Sequence, residues 1–411
     1  MPDSDRIAGI DVHKAMLAVV VVEGTSQSCR CIERAKFGAT ESELRRLAAW
    51  LVGRRVRDAV MESTAQYWKP IWMQLEGQFQ LYLAQAQSNR APRGRKSDFR
   101  DAERLARRHL AHELILSFVP NAEQRLWRTM SRTKYQLRRE RILVQNQLES
   151  LLEEMRIKLS GCVSDLLGAS SRRILQALSS GERDAEQLAA MADPGLRASR
   201  DQLTDALAQA AWLTPAHRQI LGLFLERLDL IDAQIQTLEV SLAGAMRQHQ
   251  DAVRRLAEVP GLGPDSAQQI IAEVGPTAAT FPSAPELAAW VGTAPGREES
   301  AGVSISNRSP KGNRMMRRVL NQAANAAVRA KGSFFNQLYH RLVVRLGHNK
   351  AIWAVANRLC RLVWKILHQG VHYIEHGNQP DPSRLKQSVQ RMIRELKHLG
   401  YSVQPTAQIA N

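Results

Sequence analysis

Four acidic residues, spread over three short segments, have the types and spacing of a divalent-metal site. Asp11 and Glu62 each end a short apolar run. Asp98 and Asp101 lie three residues apart, so on a helix their carboxylates share a face. Carboxylate oxygens are the ligands that Mg²⁺ prefers, and two ions in one pocket can assist in-line displacement at phosphorus. Each residue taken singly is equally consistent with a solvated surface acid, but together they predict a Mg²⁺ or Mn²⁺ site for phosphodiester chemistry.

A serine in a small-residue loop offers a nucleophile. Ser300 precedes Ala301 and Gly302, so an extended loop could expose its hydroxyl. Such a hydroxyl needs a base, a metal or cations to attack phosphorus. The alternatives are a plain loop hydroxyl, or a role for one of the nearby serines. These are Ser304, Ser306 and Ser309.

Basic residues follow this serine and open an apolar helix. Charge and free N–H groups at a helix start would attract phosphate, although a solvated charged face is the alternative. The candidate nucleic-acid contacts are Arg308, Lys311, Arg314, Arg317 and Arg318.

The segment 260–263, Pro-Gly-Leu-Gly, predicts a helix-hairpin-helix-like turn. The glycines Gly261 and Gly263 would let backbone N–H groups approach a DNA phosphate at a helix N-terminus. A plain turn between two packed helices is the alternative.

The charge balance favours a nucleic-acid partner. The chain has 411 residues with 57 Lys+Arg against 40 Asp+Glu, a net charge of +17 and a pI of about 10.2. Such a surface binds polyanions, although a merely basic soluble protein is the alternative.

The four scattered cysteines are too few for a disulfide framework and fit a reducing compartment. With neither a secretory leader nor a long apolar run, we expect a cytoplasmic protein that is not in the membrane.

Hydrophobic periodicity predicts an α/β N-terminal domain followed by mainly helical segments. Three strands are followed by alternating helices and strands, and a capping box of Thr40 and Glu43 begins the first helix. The predicted strands are 7–12, 16–22, 28–37, 56–61 and 80–84, and the predicted helices are 41–52, 66–76 and one from 97. This order is that of a ribonuclease H-like domain, but propensity alone does not separate it from other mixed sheets.

Beyond residue 118 the apolar residues recur at helical spacing. We expect residues 119–250 to form two long amphipathic helices around a segment of short helices, either as a bundle within one chain or as a coiled coil between chains. Residues 251–377 would form a C-terminal domain with the serine loop, and 378–411 a tail. The first domain would span 1–118.

The motifs together resemble a known family. Gly9-Ile-Asp-Val-His-Lys14, Glu62-Ser63, the run from Lys96 to Ala102, the Pro-Gly-Leu-Gly turn, and Glu299 to Gly302 followed by Lys311-Gly-Asn-Arg314 look like the transposases of bacterial insertion-sequence family 110, including its 1111 subgroup. The order matches from about residue 6 to 370.

The resemblance implies a DEDD-type recombinase with a RuvC-like domain, a coiled-coil linker and a C-terminal domain holding a serine nucleophile. Asp11, Glu62, Asp98 and Asp101 would be the metal tetrad, and Ser300 the nucleophile. Proteins that it resembles use a structured noncoding RNA, the bridge RNA, to select donor and target DNA. We therefore expect a homodimer or homotetramer at the nucleoid in the bacterial cytoplasm.

Two other functions stay open at this point. One is a RuvC-like junction-resolving nuclease that uses water and needs no serine. The other is a basic nucleic-acid-binding protein without enzymatic activity.

Overall fold

The protein folds as two compact units, Met1–Pro120 and Asn121–Asn411. The computed structural model describes residues 6–25, 28–63, 65–86, 97–296, 298–300, 303–306, 309–375 and 390–394. The strands are β1 (Arg6–Val12), β2 (Met16–Gly24), β3 (Cys29–Gly38), β4 (Asp58–Glu62), β5 (Gln80–Ala84), β6 (Glu298–Ser300) and β7 (Val303–Ser306). The helices are α1 (Glu41–Gly53), α2 (Trp68–Leu75), α3 (Asp98–Leu110), α4 (Ala122–Glu154), α5 (Leu159–Cys162), α6 (Ala169–Ser180), α7 (Ala185–Ala190), α8 (Arg200–Ala206), α9 (Pro215–Ala245), α10 (Gln250–Ala257), α11 (Pro264–Val274), α12 (Ala284–Val291), α13 (Arg314–Ala327), α14 (Phe334–Leu346) and α15 (His348–Gln369).

A five-stranded mixed sheet forms the N-terminal unit, which confirms the predicted α/β class. Its strand order is β3-β2-β1-β4-β5. The β1–β2 and β2–β3 pairs are antiparallel, whereas β1–β4 and β4–β5 are parallel. Parallel pairs need crossover connections, which α1 and α2 provide.

One predicted strand begins too early. The fourth strand was expected at 56–61 but runs from Asp58 to Glu62. The reason is the end of α1, where Arg55 has a positive φ of 54° and the Val56 N–H donates to Leu51 O. Val56 therefore completes a helix C-terminus, although its side chain is apolar and buried.

Helices cover both faces of this sheet. Helices α1 and α2 bury their leucines and isoleucine against one face, and α3 packs on the other through Ala102, Leu105 and Ala106. Gly9 of β1 faces α3, and a Cβ there would overlap the backbone oxygen of Ala102. The missing side chain at Gly9 is what lets α3 lie this close to β1.

The long helices α4 and α9 pack against each other within the chain. Leucines of both helices form one core with the short helices α5 to α8, as the bundle alternative predicts. Ion pairs join their flanks, with Arg138 donating to Glu239 at 2.8 Å and Arg141 to Asp232 at 2.6 Å. Whether these helices also pair between chains stays a prediction.

Beyond residue 250, the described residues form helices and one hairpin. Helices α10 to α15 enclose a core, and the short antiparallel pair β6–β7 joins α12 to α13. The sequence predicted an extended loop at this place and not a hairpin. In the described residues no helix is long and apolar enough to span a membrane.

Candidate metal centre and serine loop

The sheet places Asp11 and Glu62 on adjacent strands. The parallel register pairs Ile10 with Met61, so the next residue of each strand, Asp11 and Glu62, lies at the same level. Side chains alternate between faces along a strand. Asp11 therefore faces the same side as Gly9, which is the α3 side.

Helix α3 brings the other two acids to that edge. Its first turn holds Asp98 and Asp101, and its contact with Gly9 sets that turn above the end of β1. Ligand atoms of Asp11, Asp98 and His13 all lie within 4.8 Å of one another. Segments far apart in the sequence thus meet in one acidic cluster.

Basic side chains already accompany these carboxylates. His13 Nε2 lies 3.1 Å from Asp11 Oδ2 and 3.6 Å from Asp98 Oδ1. Lys36 Nζ on β3 lies 3.4 Å from Asp98 Oδ2, and Arg104 Nη2 lies 2.8 Å from Asp101 Oδ1. These contacts are partly exposed, so each is a pair of ordinary surface strength.

The electrostatics of Asp11 fit a cation site. Burial raises the pKa of its carboxyl above the ordinary value, His13 opposes that rise, and the neighbouring carboxylates of Asp101 and Asp98 add to it. A divalent ion would relieve this like-charge crowding. The carboxylate oxygens of this cluster are ligands for a hard divalent cation, and the imidazole could add one nitrogen ligand.

His13 is the cluster member that sequence reasoning missed. It lies in the turn between β1 and β2, where its backbone N–H donates to the Met16 carbonyl oxygen at 3.0 Å. Its position two residues after Asp11, at the end of the strand, was the available signal. An imidazole and a carboxylate at that spacing can bind the same metal ion.

Ser300 is the last residue of β6 and pairs with Val303 of β7. Its backbone is therefore held at the end of a hairpin. The Trp353 indole N–H donates to the Ser309 hydroxyl at 2.9 Å. Ser309 thus has a structural partner, and the choice of Ser300 as the nucleophile stays a prediction.

The predicted basic residues divide into two groups. Arg317 donates to the backbone oxygens of Gly292 and Pro310, at 3.1 Å for the latter, and its guanidinium stacks on Trp353. Arg318 stacks on Tyr135, 4.1 Å from the ring centre to its Cζ, and donates to Gln269. Both side chains are built into the helical packing.

The other cations of this stretch differ. Lys311 and Arg314 are exposed at the start of α13. Arg308 lies outside the described residues. The two exposed side chains therefore remain the better phosphate candidates of the set.

The Pro-Gly-Leu-Gly turn joins α10 to α11. Gly261 has a φ of 85°, and a Cβ there would overlap the backbone oxygen of Ala323 on α13, so packing alone requires this glycine. Gly263 is the exposed N-cap of α11. The next residue but one, Asp265, accepts from Lys134 and, at 2.7 Å, from Arg138.

Comparison with known proteins gives two family matches. A transposase model of the DEDD, IS110 type matches residues 8–157, and the model "Transposase IS116/IS110/IS902 family" matches residues 253–340. The chain belongs to this family of insertion-sequence transposases. The first match contains the acidic cluster, and the second contains the Pro-Gly-Leu-Gly turn and Ser300.

Two relatives illustrate the match. The chain is 27% identical over 293 residues to the "Probable family 20 transposase" of Pseudomonas aeruginosa. The matched region covers 68% of this chain and 75% of the relative. It is 24% identical over 373 residues to the "Transposase for insertion sequence element IS1111A" of Coxiella burnetii, covering 88% and 89%.

Family membership implies an enzyme that cleaves and recombines DNA. DNA is therefore its partner, and the DEDD domain suggests use of a divalent metal, for which the cluster around Asp11 is the candidate site.

Proposed function

We propose that the transposase recombines DNA by a metal-dependent, serine-based strand exchange guided by a structured noncoding RNA. The N-terminal unit would be a RuvC-like domain, and Asp11, Glu62, Asp98 and Asp101 would hold Mg²⁺ or Mn²⁺. The observation that carries the proposal is the meeting of Asp11 and Asp98, from separate segments, within a 4.8 Å cluster. The register that sets Glu62 beside Asp11 supports it.

Each residue type has a defined task in this reaction. The bound metal would polarise the phosphate oxygens and stabilise the leaving oxygen. The Ser300 oxygen would attack phosphorus and give up its proton, while the broken P–O bond leaves a sugar oxygen that takes up a proton. The product is a transient phosphoserine, and the reverse attack by a different strand end rejoins the DNA.

We propose the domain order 1–118 catalytic, 119–250 long-helix linker, 251–377 serine domain and 378–411 tail. The exposed cations Lys311 and Arg314 would bind backbone phosphate together with Arg308, and the amide of Gly263 would add a contact. A dimer or tetramer would bring donor and target DNA together, and the guide RNA would select sequence by base pairing.

The serine step has a direct test. With the full chain, its guide RNA, Mg²⁺ and labelled DNA, Ser300→Ala should remove the covalent protein–DNA adduct seen on a denaturing gel and lower strand exchange by roughly 10³-fold or more. Ser304→Ala and Ser306→Ala are the matched controls and should keep both. Full adduct formation by Ser300→Ala would refute the serine mechanism.

A second function differs in one observable. A junction-resolving nuclease using water would cut DNA in a metal-dependent way with no adduct, and Ser300→Ala would be fully active. Both functions use the acidic cluster, and the covalent adduct on the denaturing gel distinguishes them. RNase treatment tests the guide separately, since an RNA-guided enzyme should lose sequence-specific cleavage.

A further inference from the structure

A groove in the C-terminal part combines aromatic rings with unbalanced positive charge. It lies between the start of α14, one face of α15 and the segment 371–374, and encloses about 570 Å³. We call it the cation–aromatic groove and define it by Phe334, Arg358, Arg361, Lys365, Tyr373 and Ile374. None of these residues belongs to the acidic cluster or the serine loop.

Its cations lie on one face of a helix. Arg358, Arg361 and Lys365 are three and four residues apart on α15, so their side chains share a face. All three are exposed. Among the described residues none of them forms an ion pair, and Arg358 instead lies over the Phe334 ring with its Cζ 5.9 Å from the centre. The groove therefore presents three positive charges to a ligand.

The aromatic side is fixed in place before any ligand arrives. His372 Nδ1 lies 2.8 Å from Glu258 Oε1, and the Tyr373 N–H donates to Glu258 Oε2 at 3.1 Å. The Tyr373 hydroxyl donates to Glu375 Oε2 at 2.6 Å, and the same carboxylate accepts from the Phe334 N–H at 3.0 Å. The nearby acids thus hold the segment to the helices, and Ile374 beside them is 67% exposed.

Rings next to cations are the chemistry that binds unpaired nucleotides. Bases stack on aromatic side chains while Arg and Lys contact the phosphates, and this pairing is characteristic of single-strand sites. In a duplex the bases are already stacked on each other and unavailable. DNA is the partner that the family implies, so we propose that the cation–aromatic groove binds an unpaired DNA strand.

Removal of charge tests the phosphate contacts. Arg361→Ala/Lys365→Ala should lower the slope of log affinity against log salt by about 1.4 for a single strand, at roughly 0.7 per lost contact. Binding is measured by fluorescence anisotropy of the full chain with a labelled strand of about twelve nucleotides, within the site sizes typical of such proteins. EDTA is present, so that neither cleavage nor the metal cluster contributes. The control Arg183→Ala/Arg197→Ala removes the same charge from exposed positions in the segment between α4 and α9 and should leave the slope unchanged.

Removal of the ring tests the stacking. A strand carrying 2-aminopurine should lose fluorescence when its base stacks on Tyr373. Tyr373→Phe keeps the ring and should keep the quenching, whereas Tyr373→Leu should lose it and bind about tenfold more weakly, in the range of one lost stack. Circular dichroism of both variants checks that the fold is intact.

Three results would overturn the proposal. Equal salt slopes for the two double variants would show that the groove holds something else, such as the chain beyond residue 375. Equal affinity for duplex DNA would remove the unpaired strand as ligand, and at least tenfold preference for RNA of the same sequence would remove DNA. The binding assay is run in EDTA and measures no strand exchange, so failure of the proposed strand exchange would not imitate failure here.

Discussion

At the scale of single residues, the ionised Asp11 carboxylate is expected to lower the stability of the metal-free protein. Its pKa is raised, mainly by burial, so between pH 3.8 and the raised value the folded state binds more protons than the unfolded state. Stability therefore falls as pH rises through this window, and the loss persists at neutral pH. We expect Asp11→Asn to raise the metal-free melting temperature and to abolish the further rise caused by Mn²⁺, as measured by differential scanning fluorimetry.

The control for Asp11 is Asp193, an aspartate whose pKa is lowered instead of raised. A hydrogen bond from Ser170 and the Arg173 guanidinium lower the pKa of Asp193. Asp193→Asn should therefore bring no gain in stability and keep the full Mn²⁺ response. A normal Mn²⁺ response in Asp11→Asn would contradict the assignment of the metal site.

Glu273 is a second residue whose charge has a calculable effect. The residue is 2% exposed. Its carboxylate accepts hydrogen bonds from Arg132 Nε and Nη2, each at 2.9 Å, and from the Asn313 side-chain amide at 2.9 Å. Burial lowers the pKa of the adjacent Arg128 to about 10, so that side chain is still charged at neutral pH. Glu273→Ala would remove the carboxylate that lies 3.6 Å from Arg128 Nε and should cost roughly 3–5 kcal/mol of unfolding free energy.

Urea denaturation measures that loss. Glu226→Ala, at an exposed position of α9, is the control and should change stability by less than about 0.5 kcal/mol. A loss of similar size in both variants would show that the Glu273 network adds nothing. The network also explains the Lys311-Gly-Asn-Arg314 motif, because Asn313 caps α13 while it holds Glu273.

At the scale of elements, the approach of α3 to β1 positions two of the four acids. Gly9→Ala would place a methyl group against the Ala102 oxygen and push α3 outward. We expect a loss of about 1–3 kcal/mol in stability, as for overpacking, together with a weaker Mn²⁺ response. Gly53→Ala, at the open end of α1, should be neutral or slightly stabilising. An unchanged Mn²⁺ response in Gly9→Ala would mean that α3 does not position the metal ligands.

The regular elements of the first unit were predictable because local signals agree with the tertiary structure. The first helix, predicted at 41–52, runs from Glu41 to Gly53, and five strands appear in the expected order. Even here the capping box formed differently. The Glu43 carboxylate accepts from the Gly38 N–H at 2.9 Å, and the Thr40 hydroxyl caps nothing.

The features that were missed depend on contacts distant in sequence. The strands of the hairpin β6–β7 are only three and four residues long, and the first of them is wholly polar, so their pattern is too short to predict a hairpin. Arg317 and Arg318 look like a phosphate-binding run, but their partners Trp353 and Tyr135 lie on other helices. His13 belongs to the cluster because α3, which is distant in sequence, places Asp98 Oδ1 3.6 Å from its Nε2.

At the scale of the whole molecule, the two units have separate cores. Residues 1–120 contain a complete sheet covered on both faces and all four predicted metal ligands. This fragment should unfold cooperatively on its own, and Mn²⁺ should raise its melting temperature by several degrees, as tight ligand binding does. It lacks Ser300, so it should form no covalent adduct with DNA.

The same fragment carrying Asp11→Asn is the control and should not respond to Mn²⁺. A fragment that is unfolded, or folded but indifferent to Mn²⁺, would show that the cluster needs the second unit. Circular dichroism and fluorimetry separate these two results.

The first turn of α11 already carries an anion. Asp265 lies there, tied to α4 by Lys134, which is 1% exposed, and by Arg138. A nucleic-acid phosphate that reaches the Gly263 amide would therefore meet a fixed negative neighbour that is expensive to displace. If the Gly263 amide contacts a phosphate as proposed, the nearby Asp265 carboxylate should weaken that contact and favour release of the product DNA.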